Sequence, residues 1–222
     1  MNNKKIISFC LWGDNPKYTF GAVQNAEIAL SLFPEWICRF YIGMSTPEHT
    51  INELKSMSNV EVIIMNELGS WNSMFWRFFP ISEDETEIML SRDVDSRLTL
   101  REKSCIDEFI ESDMLFHSMR DHPWHNGIMG GMWGAKRGVL KDMKELIDVW
   151  EKTDKWQTDQ SFLNSIIYPI ISKTYLLHDS IHLRNFPTKR ENYSYVGEAF
   201  DSNNVRSEHY CLFTWEEYKH LN

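Results

Sequence analysis

The chain has 222 residues, 42% of them hydrophobic and 25% charged, with a formal net charge of −9. That length suits one substantial domain, and that balance suits a soluble globular protein rather than a disordered or fibrous one. The acidic balance argues against a nucleic-acid partner, whose phosphates require a basic patch, and no apolar run approaches the roughly 20 residues of a membrane helix.

Met1-Asn2-Asn3-Lys4-Lys5 leads into a short strand-like run, not the apolar core and cleavage site of a signal peptide. Cys10, Cys38, Cys105 and Cys211 stand far apart and form no metal-ligand pair, so reduced thiols in a cytoplasmic, soluble protein are the expectation. Asn192-Tyr193-Ser194 fits a glycosylation acceptor, which has no meaning without export. Aromatics make up 14%, including nine Trp, enough for a core and for platforms under a flat ligand such as a sugar or a base.

Residues 5–11 read as a buried first strand, followed by a loop at Trp12-Gly13-Asp14-Asn15-Pro16. Over 19–33, Ala22, Ala26, Ala29, Leu30 and Phe33 recur at helical spacing until Pro34 stops the run. A strand at 36–43 comes next, then a helix from Thr46-Pro47 to Met57 with Pro in first position, then a strand at 60–64. A helix over 72–79 leads into a strand at 87–91. This alternation predicts an α/β fold: one domain with a mostly parallel sheet, flanked by helices and joined by right-handed crossovers. Beyond it the pattern predicts a helix at 101–111, with Leu100, Cys105, Ile106 and Phe109 on its apolar face, and a strand at 114–119. A long amphipathic helix over 138–151, a helix from Thr158 capped by that residue, and a last strand at 173–177 follow.

The 87–91 run ends in Asp93-Val94-Asp95. In an extended strand alternate residues point the same way, so both carboxylates would face one direction at a strand's carboxyl end, where open α/β sheets bind ligands. Hard oxygen donors there suit Mg2+ or Mn2+ together with substrate phosphates. The alternative is a polar turn in solvent. Further on, Gly130, Gly131 and Gly134 suggest a backbone lying hard against a ligand or another strand.

The order of these motifs resembles the GT-A glycosyltransferases, especially the small retaining glycogenin and bacterial galactosyltransferase type, which also occurs in large DNA viruses. The resemblance spans roughly residues 5–180. It rests on Trp76-Arg77-Phe78 before Asp93-Val94-Asp95, the Gly-containing run 128–134, Asp159-Gln160-Ser161-Phe162-Leu163-Asn164, and a histidine after a late strand. It implies a single Rossmann-like GT-A domain over 1–222. About 1–97 would form the nucleotide-binding half, about 98–182 the acceptor and sugar half, and 183–222 a C-terminal tail.

The resemblance implies Mn2+ or Mg2+ held by Asp95 and His178, with His182 competing for the histidine role. Asp93 would bind the ion directly or through water and could reach the ribose. Arg77 would grip the donor by its planar fork, or else form a surface ion pair. Asp159 and Gln160 would meet the transferred sugar: one stabilises an oxocarbenium-like centre, or Asp159 serves as a nucleophile. Backbone groups at the end of the first strand, Phe9 to Leu11, would hydrogen-bond the base, with Trp12 near it. Asp121, His122, His125 and Gly131 would face the sugar or acceptor, with Trp124 and Trp133 able to stack on a sugar, though core packing suits Trp133 better.

The partners implied are a nucleotide-sugar donor, UDP-sugar first, and a glycan or glycoprotein acceptor. Rival readings are a metal-dependent phosphatase or nuclease using the two aspartates, a zinc site among His117, His122 and His125, and a non-catalytic sugar- or nucleotide-binding module. A calcium loop fails because Leu98 stands where its turn needs Gly.

Overall fold

The computed structural model describes residues 3–206; Cys211 and the end of the tail lie outside them. Strands β1 (Lys4–Leu11), β2 (Trp36–Gly43) and β3 (Val60–Met65) alternate with helices α1 (Pro16–Leu32) and α2 (Glu48–Ser56). A 3-10 helical segment (Trp71–Ser82) then precedes β4 (Thr86–Arg92), α3 (Leu100–Glu111), β5 (Phe116–Arg120) and β6 (Met132–Lys136). Helix α4 (Met143–Val149), α5 (Thr158–Phe162), a π-helical turn (Leu163–Ile167), α6 (Tyr168–Ile171) and β7 (Tyr175–Asp179) complete the order.

The strands form one seven-stranded sheet in the order β3-β2-β1-β4-β6-β5-β7. Only β6 runs against its neighbours, β4 and β5. Strand order reverses between β1 and β4, a topological switch point with a crevice at the strands' carboxyl ends. The β1–β4 ladder stops at Ser8–Ser91, while β1 continues beside β2 to Leu11–Ile42.

Side chains alternate across the sheet. Ile88 and Leu90 enter a core with Ile7, Phe9, Leu11, Phe40 and the small residues Ala22, Ala26 and Ala29 of α1. Met89 faces the other way, into a core with Phe75, Phe78, Trp133 and Phe162. Alternate residues of one strand thus serve two layers. Burial of Trp133 in this core agrees with its expected packing role.

Several boundaries differ from the sequence reading. Helix α1 begins at Pro16, because the Asn15 side chain accepts from Lys17 N and Pro occupies an early helical position. Pro47 precedes α2 rather than opening it. The 72–79 helix is the longer 3-10 segment, opened by a reciprocal Ser70–Ser73 cap. Leu100 is 70% exposed and off the apolar face; Thr99 and Glu102 cap α3 there. Only residues 143–149 of the expected 138–151 helix are helical. Thr158 is not a cap: Gln157, at φ +65°, precedes α5, and Thr158 is buried. The β5 strand is shifted to Phe116–Arg120, and β7 includes His178 and Asp179.

Candidate active site

Strand β4 ends at Arg92, so Asp93 and Asp95 stand in the turn beyond it, not on an extended strand. This corrects the geometric argument for their common direction while leaving both at the switch point. Helix α1 and the 183–206 segment hold the turn from two sides. The buried Asn25 amide donates to the carbonyls of Val94 and Ser96, and its oxygen accepts from Leu98 N at 3.0 Å. Gly21 lies so close to Val94 O that any side chain would overlap it. Phe200 N donates to Asp95 O at 2.8 Å.

The two carboxylates meet different cations. Asp95 Oδ2 is 2.6 Å from Lys17 Nζ in the first turn of α1. Burial and then the neighbouring Asp93 charge raise Asp95 above the ordinary carboxylate pKa, against the opposing pull of Lys17. Asp93 pairs with Arg77 Nη1, and Arg77 Nη2 reaches Asp159 Oδ2 at 2.7 Å. The guanidinium, 1% exposed, therefore joins the Asp-x-Asp turn to the start of α5. Burial works against its charge, but Asp93, Cys10 and Asp159 outweigh that, and its pKa rises. This contradicts a surface ion pair. With both ends engaged, Arg77 orients carboxylates instead of presenting an open fork to the donor.

Gly130 and Gly131 explain how this chain of charges fits. A methyl group on Gly130 would overlap Asp159 Oδ2 and lie 2.7 Å from Arg77 Nη2. One on Gly131 would overlap the Asp93 carboxylate and lie 2.9 Å from Asp93 N. Ser91 Oγ donates to Gly130 O at 2.8 Å, fixing this backbone against β4. Gly131 thus borders Asp93 itself.

Phe9 and Leu11 have buried side chains, Phe9 stacked on Phe40 at 4.8 Å. Only their main chain, beyond the end of the β1–β4 ladder, borders the crevice. Trp12 packs edge-on to Trp76 at 6.4 Å and is closely approached by Gly43 and Gly69, the latter at φ +104°. Gln160 lines an open cleft of about 540 Å³ on the face of α5 turned away from Asp159.

Other expected site residues lie elsewhere. Strands β6 and β5 separate β7 from β4, roughly 14 Å at the usual strand spacing. The structure does not bring His178 to the aspartates. Its Nδ1 is 2.8 Å from His117 Nε2, its Nε2 lies 3.3 Å from Glu108 Oε2, and its ring is buried. His182 is exposed in the turn after β7, held through its main chain by Asp179.

Asp121 is not placed to meet an acceptor. It is 0% exposed and accepts from Arg101 at 2.7 and 2.8 Å, Arg190 at 2.6 Å and Val196 N at 2.9 Å. It ties the 183–206 segment to the domain. His122 is buried against Tyr195, and His125 Nδ1 accepts from Asp121 N. Burial, then His122, pushes His125 down to about 3, so it is a neutral packing group. These contacts replace the acceptor role expected for Asp121, His122 and His125. His117 instead faces His178 at 2.8 Å, and among the described residues no group of three or more His, Cys, Asp or Glu is placed to hold a metal.

Sequence reasoning missed Lys17, Gly21 and Asn25. Asn25 carried a signal: a polar residue inside the Ala22, Ala26, Ala29 stripe must satisfy its amide in the interior.

A mostly parallel sheet with one reversed strand, and a carboxylate turn at its switch point, defines a GT-A-like α/β domain. A glycosyltransferase involved in glycosylation of the major capsid of PBCV-1 matches with a TM-score of 0.54 and 18% identity, over 81% of this chain and 83% of that one. A 4-diphosphocytidyl-2C-methyl-D-erythritol synthase from Anaerococcus prevotii matches at 0.54 and 7%, over 80% and 87%. A mannosyltransferase from Pyrobaculum calidifontis, solved with GDP-Man and Mn2+, matches at 0.50 and 11%, over 81% and 55%. No protein-family model and no curated protein matches the sequence. The chain has the GT-A glycosyltransferase fold.

Proposed function

We propose that the protein is a metal-dependent glycosyltransferase, moving a sugar with retention from a nucleotide-sugar donor to a hydroxyl of a glycan or protein acceptor. The observation that carries the reading is the Asp93–Arg77–Asp159 chain beside Asp95 at the switch point of a GT-A fold. UDP-sugar is the first donor to test. GDP-sugar is the second, given the mannosyltransferase of similar fold.

The residues fit a hard divalent cation. Asp93 and Asp95 are oxygen donors on one turn; burial first and then the Asp93 charge raise the pKa of Asp95, and a bound cation would favour its ionised form. These two would hold Mn2+ or Mg2+, whose remaining positions suit phosphate oxygens. When bound, the ion neutralises charge gathering on the leaving diphosphate.

The chain's own residues do the rest. Arg77 holds Asp93 and Asp159 at fixed positions, so little reorganisation is needed as charge develops. Asp159 stabilises the positive charge growing at the sugar's anomeric carbon, and Gln160 meets sugar hydroxyls from the adjoining cleft. Main chain at Phe9–Leu11, with Trp12, receives the base. The acceptor hydroxyl passes its proton to the departing phosphate. Residues 1–97 serve the donor and 98–182 the sugar and acceptor. The free, buried thiols Cys10, Cys38 and Cys105 support action in a reducing cytoplasm, and no helix among the described residues is long and apolar enough to cross a membrane.

The test is calorimetric titration of UDP, GDP and their sugar conjugates, with Mn2+ and with a chelator, into the wild type and Asp95→Ala. Binding of one nucleotide only with metal, lost in the variant while its thermal melt persists, supports the reading. Equal affinity in the variant removes the metal assignment, and no nucleotide binding by folded protein removes the transferase. The anomeric configuration of a product, read by NMR, decides retention.

A further inference from the structure

We infer that the cleft between the start of α5 and the loop before β6 is a binding site for an uncharged saccharide, which makes the acceptor a neutral glycan. Calling that ligand the acceptor rests on the glycosyltransferase reading; the binding site itself does not. The cleft, about 540 Å³, falls within the usual ~300–1,000 Å³ of small-molecule sites. Its side chains include Trp124, Asn126, Gln157, Gln160, Ser161 and Ser165, and none of its lining residues is charged.

Amides and hydroxyls offer both donors and acceptors to a polyol, whereas no lining side chain offers a counter-charge to a carboxylate, sulfate or phosphate; the nearby Arg120 is turned to Gly127 O at 2.8 Å and to Asp179 at 3.8 Å. The chain's net charge of −9 acts in the same direction against anionic ligands. Trp124, 49% exposed, supplies an apolar ring face of the kind on which a pyranose stacks.

The cleft is built rather than incidental. Asn164 spans it from α5–α6 to the loop before β6. Its Oδ1 accepts from Ile128 N at 2.8 Å, and its Nδ2 donates to Ile128 O at 3.1 Å and Gln160 O at 2.8 Å. Gly127, at φ +67°, lies so close to Asn164 that a side chain would overlap it. Such prior ordering lowers the entropic cost of binding. Gln160 lines the cleft while Asp159, buried one position earlier, turns from this face of the helix toward Arg77, so cleft and carboxylate chain share the start of α5.

The test is saturation-transfer NMR on the full chain with lactose, N-acetyllactosamine, maltotriose and mannotriose, against 3′-sialyllactose and a Ser/Thr peptide. Trp124→Ala and Ser161→Arg serve as variants; both positions are exposed, so neither opens the core. At least one neutral saccharide should bind, weakened about tenfold in Trp124→Ala, the worth of one stacking contact, and blocked in Ser161→Arg. Absence of binding by every neutral saccharide overturns the inference. So does preference for sialyllactose or the peptide, or full binding by both variants. Nucleotide titration of the same samples separates the two readings. Saccharide binding without nucleotide binding sinks the transferase and keeps the cleft; nucleotide binding alone does the reverse.

Discussion

Gly131→Ala tests whether the carboxylate chain, and not the fold alone, makes the site. The added methyl would overlap Asp93 Oδ2 and sit 2.9 Å from Asp93 N. The carboxylate can rotate away, but the main chain cannot, so Asp93 must shift and loosen its contact with Arg77. Overpacking of this kind costs about 1–3 kcal/mol. The Asp93 side chain is 37% exposed, so solvent compensates much of the lost ion pair. A total near 2 kcal/mol lowers Tm by about 4–8 °C for a domain of this size.

Function should suffer more, since displacing a positioned group by ~1 Å costs about 100-fold in rate. Gly134→Ala is the control. Its methyl would lie 2.6 Å from Leu90 Cδ2 and 3.0 Å from Met89 O, in contact with neither carboxylate. Melting curves and calorimetry with Mn2+ and UDP or GDP should show both variants destabilised and only Gly131→Ala weakened in nucleotide binding. Wild-type nucleotide affinity in Gly131→Ala would refute the reasoning.

Asn25→Ala should cost about 2–3 kcal/mol in urea unfolding, because it leaves Leu98 N and the Val94 and Ser96 carbonyls without their buried partner; an unchanged midpoint would deny the clamp. Asp121→Asn should lose about 3–5 kcal/mol by removing the buried charge that Arg101 and Arg190 share, with nucleotide affinity unchanged in the folded protein. A pure loss of acceptor affinity at unchanged Tm would restore its expected binding role. Burial, and for His117 also the neighbouring His178, lowers the pKa of both rings below the usual histidine value. The unfolded chain therefore binds more protons below pH ~6.5, and stability falls on acidification by up to about 1.4 kcal/mol per pH unit per histidine. Urea melts from pH 7 to 5 should show this slope, and His117→Gln should flatten it; parallel slopes would contradict the buried neutral pair.

The first half of the fold was legible because its strands are parallel and β1, β2 and β4 are central. Those three, buried on both faces, read as unbroken apolar runs between helical patterns, and the half-exposed edge strand β3 keeps the same β-branched composition. The misread helices share one cause, that apolar spacing records burial and not hydrogen bonding. Leu140, Met143 and Ile147 are all buried, yet Gly138 at φ +92° and a turn precede α4, and Val149 is 83% exposed. In the 3-10 segment, Phe75, Phe78 and Ile81 are all buried at a strict spacing of three, the period of a 3-10 helix. That signal was present, but over so short a stretch it passes for the helical pattern.

The site was legible in residue type and much less so in pairing. Asp93 and Asp95 announce a carboxylate site, but nothing local reveals that one meets Arg77 and the other Lys17. His178 failed for a topological reason. Chain order places it after the last strand, as a metal ligand would be, whereas the sheet order puts that strand at the far edge. There its ring faces His117 and Glu108, on the side of α3. Sheet order depends on which strands pair across long stretches of chain, and no motif spacing encodes that. The glycines lie between these cases. Their clustering foretold a close approach, and what approaches is the pair of carboxylates that Arg77 holds. A site whose oxygens are fixed by a buried guanidinium and by side-chain-free backbone is ordered before any ligand arrives. In the proposed transferase, binding energy would then act on the sugar and its leaving group rather than on assembling the residues that meet them.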